Sequence, residues 1–508
     1  MRLNSKYTWL IFLLAIINVA IHLYFGKNLE YHRDELLYFS LGMHPAFGYA
    51  TVPPVIGWIA WLMQNLFGYS VFAVRLFPAL MGGVMVFLIS AIAKELGGSG
   101  YARILAAVGL MVSVFGLRTF LLFMPVHIDL MFWTLLFYLI VRYINTSSDK
   151  YLFLIGLTAG IALLNKYLIG LLLFILIIII PFTRYRTIFR NRKFLFGLLA
   201  GLIVFLPNLI WQIVNGLPVI NHLGELARTQ LVHVSKTSFL IDQIASPTAA
   251  SLLTIAGIIY LFVNKDARKY RFLGLTVISV IITLILLQGK SYYTQGVFPF
   301  LIAAGAVSWE KILKTKLARL FLVFLILIIT LPIIPIGVPV FKKEKLVEYF
   351  NHLKTKYGMD FMCRFEDNSI HSLPQDYADM LGWKELAAVT ARAWDMVPDK
   401  KAALIYCENY GQAGAVTIIG RKYHLPEAVC FSESFRYWIP KQFDPDIKSI
   451  IYINDEPGDD IRKLFRKITK EGSISDPDAR EFGTSVYLCE DPVSSFNEFW
   501  TARIKNIK

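Results

Sequence analysis

The sequence predicts a polytopic α-helical membrane protein, with about 11 transmembrane helices and a soluble α/β domain at its C-terminal end. Three observations lead there. Of 508 residues 56% are hydrophobic and only 17% charged, against about 25% charged in soluble domains. Apolar runs close to the length that crosses a bilayer recur from residue 7 to 339 and then stop. Beyond them, strand-like and helix-like segments alternate, as in a small α/β domain. The net charge of +15 resides largely in short loops between apolar runs, so membrane topology accounts for it without a nucleic-acid partner.

The apolar runs fall at 7–25, 71–93, 104–117, 128–143, 151–164, 168–182, 194–214, 245–263, 272–287, 297–309 and 320–338. The first leads into a charged loop rather than a small-residue cleavage site, which reads as a retained signal anchor. With the N-terminus inside, the cytoplasmic loops receive Lys94 and Arg103, Arg142 and Lys150, the Arg184 to Lys193 cluster, Lys265 to Arg271, and Lys311 to Arg319. The opposite loops hold few cations, so the positive-inside bias sets the orientation. An odd number of spans then puts the C-terminal domain outside. The chain divides into a transmembrane part, 1–340, with a long first external loop at 26–70, and a domain at 341–508.

Cations outside, against the topological bias, need another reason to be there. Arg33, Arg118, Lys166 and Lys290 are of this kind. In the first external loop, Arg33 precedes the adjacent carboxylates Asp34 and Glu35, with His32 beside them. Charge so near a bilayer is costly and tends to be functional, although an acidic first helical turn would also produce such a pair. Pro53-Pro54 opens a Trp-rich amphipathic stretch that reads as a helix in the interface plane, or as a helix packed on the bundle. His127 and Asp129 lie where the fourth span begins, a position that also suits a helix cap. Asn165-Lys166-Tyr167 interrupts an otherwise continuous apolar stretch, and Lys166 either snorkels or serves a site. Lys290, Tyr292 and Tyr293 add a cation and two tyrosines to another external loop, where an aromatic belt alone explains the tyrosines. Loop 215–246 carries Glu225 and Arg228 at i,i+3 spacing, most simply a surface ion pair.

In the C-terminal domain, 380–397, 411–422 and 460–470 read as helices, and 402–407, 428–431, 449–453 and 484–489 as strands of a mostly parallel sheet. Glu408 to Gly414 forms a strand-to-helix turn, a common ligand position in such sheets. The four cysteines all lie in this domain and suit either two disulfides or buried free thiols. No zinc-ligand spacing, phosphate-binding Gly-Lys-Ser/Thr loop or Gly-x-Ser-x-Gly elbow occurs, which argues against an ATP-driven transporter and a serine hydrolase.

Taken together, Arg33-Asp34-Glu35-Leu36-Leu37-Tyr38 after the first span, Gly48-Tyr49, Pro53-Pro54, Arg75, Pro125 to Asp129, Gly156 to Tyr167, and Lys290 to Tyr293 with Pro299 resemble the family 39 glycosyltransferases of the GT-C superfamily. That family's relatives include protein O-mannosyltransferases and lipid A aminoarabinose transferases. Asn409 to Ala413 and Gly420 to Tyr423 resemble the external domains of some bacterial members. The chain departs from the pattern at His127-Ile128, where many members have Thr before the acidic residue, and at Asn165, where they have Thr before the lysine.

The resemblance implies a GT-C-like fold and inverting transfer of a sugar from a polyprenyl-phosphate donor to a lipid, glycan or protein hydroxyl at the outer face of the plasma (inner) membrane. It implies Asp34, Glu35 and Asp129 as catalytic carboxylates, and Arg33, Tyr49, Arg75, His127, Lys166, Lys290, Tyr292 and Tyr293 as substrate-binding residues. Three carboxylates would accommodate a divalent cation or work without one. A membrane transporter or lipid flippase is the rival, but the two halves show no internal repeat.

A reporter fused to the C-terminus is expected to be active on the extracytoplasmic side. Activity confined to the cytoplasm would mean that one span is miscounted.

Overall fold

The computed structural model describes residues 5–229 and 231–506. They form two compact units: Met1–Gly26, Ala46–Ile56 and Arg75–Val340 in one, Lys27–Pro45, Gly57–Val74 and Phe341–Lys508 in the other. The chain passes from the first unit to the second between Val340 and Phe341. The first loop, however, is shared: its acidic segment folds with the C-terminal domain.

The first unit is helical, and the predicted apolar runs are largely helical, those at 104–117, 245–263 and 320–338 being divided between two or more helical pieces. Among the described residues six helices are long and apolar enough to cross a membrane: Tyr7–Gly26, Val71–Glu95, Pro125–Thr146, Arg192–Val214, Arg268–Leu286 and Lys316–Gly337. The helices Lys236–Ala245 and Thr248–Val263 form a further apolar pair bent by 91°. Gly100–Val112, Lys150–Leu163 and Ile169–Phe182 are apolar but shorter. The helix Phe298–Ile312 is buried from Phe298 to Ser308, which puts it inside the bundle.

Glycines set the closest helix approaches. Gly156 and Gly160 face Gly197 and Gly201, so that a Cβ at any of the four would run into backbone of the facing helix. Two small-xxx-small stripes thus bring Lys150–Leu163 and Arg192–Val214 together, replacing side-chain packing by backbone contact. Gly257 and Gly305 do the same for Ser251–Val263 and Phe298–Ile312.

The second unit contains a five-stranded sheet: β1 (Ala403–Cys407), β2 (Val429–Cys430), β3 (Ser449–Asn454), β4 (Phe465–Ser473) and β5 (Ser485–Pro492), in the order β2-β1-β3-β5-β4. β1 is parallel to β2 and β3, while β5 runs antiparallel to β3 and β4 antiparallel to β5. The sheet is therefore mixed rather than mostly parallel. The predicted helix at 460–470 stops at Leu464, and the chain continues as β4. Phe465 and Ile468 sit three residues apart, a helical spacing. As an edge strand, β4 buries only Phe465 fully and shows no clean alternation. A bulge between Lys470 and Gly472 shifts its register. One side of the sheet is covered by an aromatic core in which Trp500 meets Tyr406, Phe431 and Phe496. All four cysteines are free and buried, and burial pushes the Cys430 and Cys489 thiols up to about 12.

In the same unit the helix Arg33–Ser40 runs into a short 3₁₀ turn, where Gly42 leaves no room for a Cβ against Ala60 and Trp61 of the helix Val55–Phe67. At 13 residues, the latter is about 20 Å long and too short to span a bilayer. It exposes Trp61, Leu62, Leu66 and Phe67, as the amphipathic reading expects.

Gly160→Leu forces apart two backbones in contact. It is expected to cost about 3 kcal/mol or more, measured as a lowered unfolding temperature of the detergent-solubilised protein.

Candidate active site

Two clusters gather most of the expected site residues, one in each unit. The first forms where the helix Lys150–Leu163 ends and Asn165-Lys166 breaks the apolar stretch. Asn165 donates from Nδ2 to the Pro125 carbonyl at 3.0 Å, which fastens the break to the first turn of the helix Pro125–Thr146. One turn in from Pro125 is Asp129, buried and accepting a hydrogen bond from the Trp133 indole N–H at 3.2 Å. Asp129 and Lys166 attract one another electrostatically, and Lys290 lies near enough to repel Lys166. The Lys166 ammonium also lies 5.6 Å and 5.3 Å from the ring centroids of Tyr292 and Tyr293, within cation–π range. The turn carrying these tyrosines, Ser291–Val297, is held by Thr294 donating to Gln243 and Thr119 donating to Gln295.

Three further expected substrate contacts, Arg75, Tyr49 and His127, are buried. Arg75 is buried, and its guanidinium donates to the Gly26 carbonyl, where the first helix ends. A cation at a helix C-terminus is favourable on its own account. Tyr49 is 1% exposed, accepts from the Ala46 amide at 3.2 Å, and burial pushes its phenol up to about 12. A Cβ at its neighbour Gly48 would come within 2.3 Å of the Trp211 ring. His127 is fully buried, with the Phe77 and Phe123 ring centroids 5.7 Å and 6.0 Å away.

The second cluster is built around the acidic segment. The helix Arg33–Ser40 begins with a capping box: Nδ1 of His32 accepts from the Asp34 amide at 3.0 Å, and Glu35 Oε2 accepts from the His32 amide at 2.9 Å. Glu35 is fully buried in this role, whereas Asp34 is only partly buried. The adjacent carboxylates therefore do different things. The segment docks by backbone as well: the Glu30 amide donates to Met380 O at 3.1 Å and the Arg33 amide to Asp379 O at 3.0 Å.

Around Asp34 and Arg33 stand residues of the C-terminal domain. The Tyr410 hydroxyl donates to Asp34 Oδ1 at 2.9 Å, and the Arg33 guanidinium sits 4.4 Å over the Tyr410 ring. Arg33 Nε is 4.0 Å from Glu481, which also accepts from Asn409 and Gln412, each at 3.1 Å. Asn409 and Gln412 form the capping box that starts the helix Tyr410–Gly414. A Cβ at Gly411 would come within 2.8 Å of Arg33 Cγ, and one at Gly414 within 2.8 Å of Leu36 Cβ. Both glycines are thus needed for this helix to lie against the acidic segment. Burial pulls the Arg33 guanidinium down, but Tyr410, Glu481, Asp379 and Asp34 outweigh it and leave it above its ordinary value. Burial, followed by the Asp34 charge, raises the Tyr410 phenol well above its usual range, so it stays a donor.

His32, Asp376 and Asp379 offer ligand atoms within 4.8 Å of one another, the spacing of a small metal site. The hydrogen bonding argues against that use. Because Nδ1 of His32 accepts an amide proton, the neutral ring carries its own proton on Nε2. Nε2, 3.9 Å from each carboxylate, is then a donor rather than a lone pair. Asp379 is in addition engaged by Arg480 at 3.1 Å.

Residues 51–211 match the family model described as dolichyl-phosphate-mannose-protein mannosyltransferase. The chain is similar to the crystal structure of ArnT from Cupriavidus metallidurans bound to undecaprenyl phosphate, at 12% identity and TM-score 0.63, over 96% of this chain and 98% of that one. It is similar to the apo state of the same protein at 12% identity and TM-score 0.61, over 95% and 98%. The chain shares the fold of ArnT. No curated protein matches it by sequence.

Of the residues singled out from the sequence, Arg33, Asp34, Glu35, Asp129, Lys166, Lys290 and the tyrosine pair fall in the two clusters. Tyr410 and Glu481, which stand beside Asp34 and Arg33, are not among the expected site residues. The signal was the Gly411-x-x-Gly414 spacing beside a capping Asn, which asks for something packed tightly against the turn.

Glu35→Ala removes half of the capping box and is expected to cost about 1 kcal/mol of stability. Glu35→Gln, which keeps a capping acceptor, is expected to retain both stability and activity, measured by thermal unfolding and turnover.

Proposed function

We propose that this protein is a glycosyltransferase that moves a sugar from a polyprenyl-phosphate donor to a hydroxyl of an envelope lipid, glycan or protein, at the extracytoplasmic face of the plasma membrane. The observation that carries the reading is the Lys166 cluster: an ammonium at a break in apolar helices, flanked by two tyrosine faces, with a carboxylate and a second lysine near it. A donor phosphate is anionic before transfer and gains charge as the glycosidic bond breaks, and Lys166 with Lys290 supplies cations for both stages. The undecaprenyl phosphate bound to ArnT is a ligand of that chemical kind.

Asp34 is the general base in this reading, taking the acceptor proton as its oxygen attacks the anomeric carbon, with inversion. Glu35 is committed to the helix cap. Asp129 orients Lys166 from its position beside Trp133. Arg75 and Tyr49 support the architecture rather than the substrate. No step requires a metal ion.

The test is sugar transfer by the purified protein in lipid nanodiscs, supplied with synthetic polyprenyl-phosphate sugars. Lys166→Ala is expected to weaken donor binding and to lower turnover by about a hundredfold. Lys166→Arg is expected to recover part of the loss, because a planar guanidinium does not replace a compact ammonium. Unchanged donor affinity and turnover in Lys166→Ala would leave Lys166 as a snorkelling residue. Movement of lipid across the bilayer without transfer would favour the flippase.

A further inference from the structure

We infer that Tyr410 of the C-terminal domain is a positioning residue for the Asp34 carboxylate, so that this domain completes the base. The inference rests on the reading of Asp34 as base and goes beyond it by assigning the domain a part in the reaction.

A carboxylate on the first turn of a short helix rotates about two side-chain bonds, and a general base loses efficiency when its lone pair wanders. Here Asp34 Oδ1 is held by the Tyr410 hydroxyl at 2.9 Å. That bond fixes the carboxylate plane and leaves the second oxygen to take a proton. Tyr410 is itself held from two sides. The Arg33 guanidinium covers its ring at 4.4 Å, and Asn409, the preceding residue, is tied to Glu481 at 3.1 Å. Glu481 in turn lies 4.0 Å from Arg33, closing a circuit of charge and hydrogen bonds around the phenol. Gly411 and Gly414 remove the side chains that would keep the turn away from Arg33 and Leu36. A packing contact alone would be served by Phe at position 410. The hydroxyl aimed at one carboxylate oxygen is the feature that packing does not require.

The experiment is Tyr410→Phe in the full-length protein, with transfer kinetics, donor binding and thermal unfolding all measured, alongside Asp34→Asn and the double variant. Turnover is expected to fall by about tenfold to a hundredfold, with donor affinity and unfolding temperature unchanged. In the Asp34→Asn background the second substitution is expected to cost nothing more. Wild-type turnover in Tyr410→Phe, with Asp34→Asn inactive, overturns the inference and leaves the base assignment standing. A parallel loss of stability and donor binding in Tyr410→Phe also overturns it, since the role would then be structural. Full activity in Asp34→Asn overturns the base assignment and this inference with it.

Discussion

Asp129 and Lys166 lie close enough to interact electrostatically at a break in the apolar helices, and Asp129 is buried there. A cation in such surroundings needs partners close by, because water is not there to solvate it cheaply. Asn165 ties the break to the Pro125 turn, Trp133 steadies the carboxylate, and the tyrosine pair offers its faces. Further back, the glycine stripes let Lys150–Leu163 lie directly on Arg192–Val214. Asn208 on the latter helix then accepts from Tyr167 at 2.8 Å and donates to the Phe47 carbonyl at 2.7 Å. Backbone proximity set by missing side chains thus places the polar groups on both sides of the lysine in sequence.

The second unit solves a different problem with the same economy. Two adjacent carboxylates would repel if both faced one way, and the capping box turns Glu35 inward to the His32 amide while Asp34 meets a phenol. The strand-to-helix turn after β1, where α/β sheets commonly hold ligands, is taken up by a segment of the same chain. That segment is also anchored by backbone at Glu30 and Arg33, which donate to Met380 and Asp379. That arrangement lets the side chains of Arg33 and Asp34 be used for each other's surroundings.

Length and apolar content made the helices legible, since a span needs little more than both. The same rules could not separate two kinds of cation. Arg75 and Lys166 both lie where topology gives no reason for positive charge, yet Arg75 answers the Gly26 carbonyl, 49 positions away in sequence. Nothing local to Arg75 announces that partner. Tyr49 and His127 were singled out by resemblance, and their burial became visible only with tertiary packing. β4 was read as helix because its two apolar residues stand three apart and an edge strand need not alternate. Tyr410 escaped for a related reason: the residue that makes it matter, Asp34, is 376 positions earlier.

The edges of the sheet have a consequence for life in a crowded membrane. β2 is two residues long, too short to template another strand. β4 is longer but presents exposed Arg466, Lys467 and Lys470, is bent by its bulge, and carries ion pairs to β5 through Lys467 and Arg466. An incoming strand would have to bury those charges or displace them. Proteins confined to a surface meet their neighbours far more often than proteins in solution. A domain held there gains from having no edge that accepts a stranger's backbone.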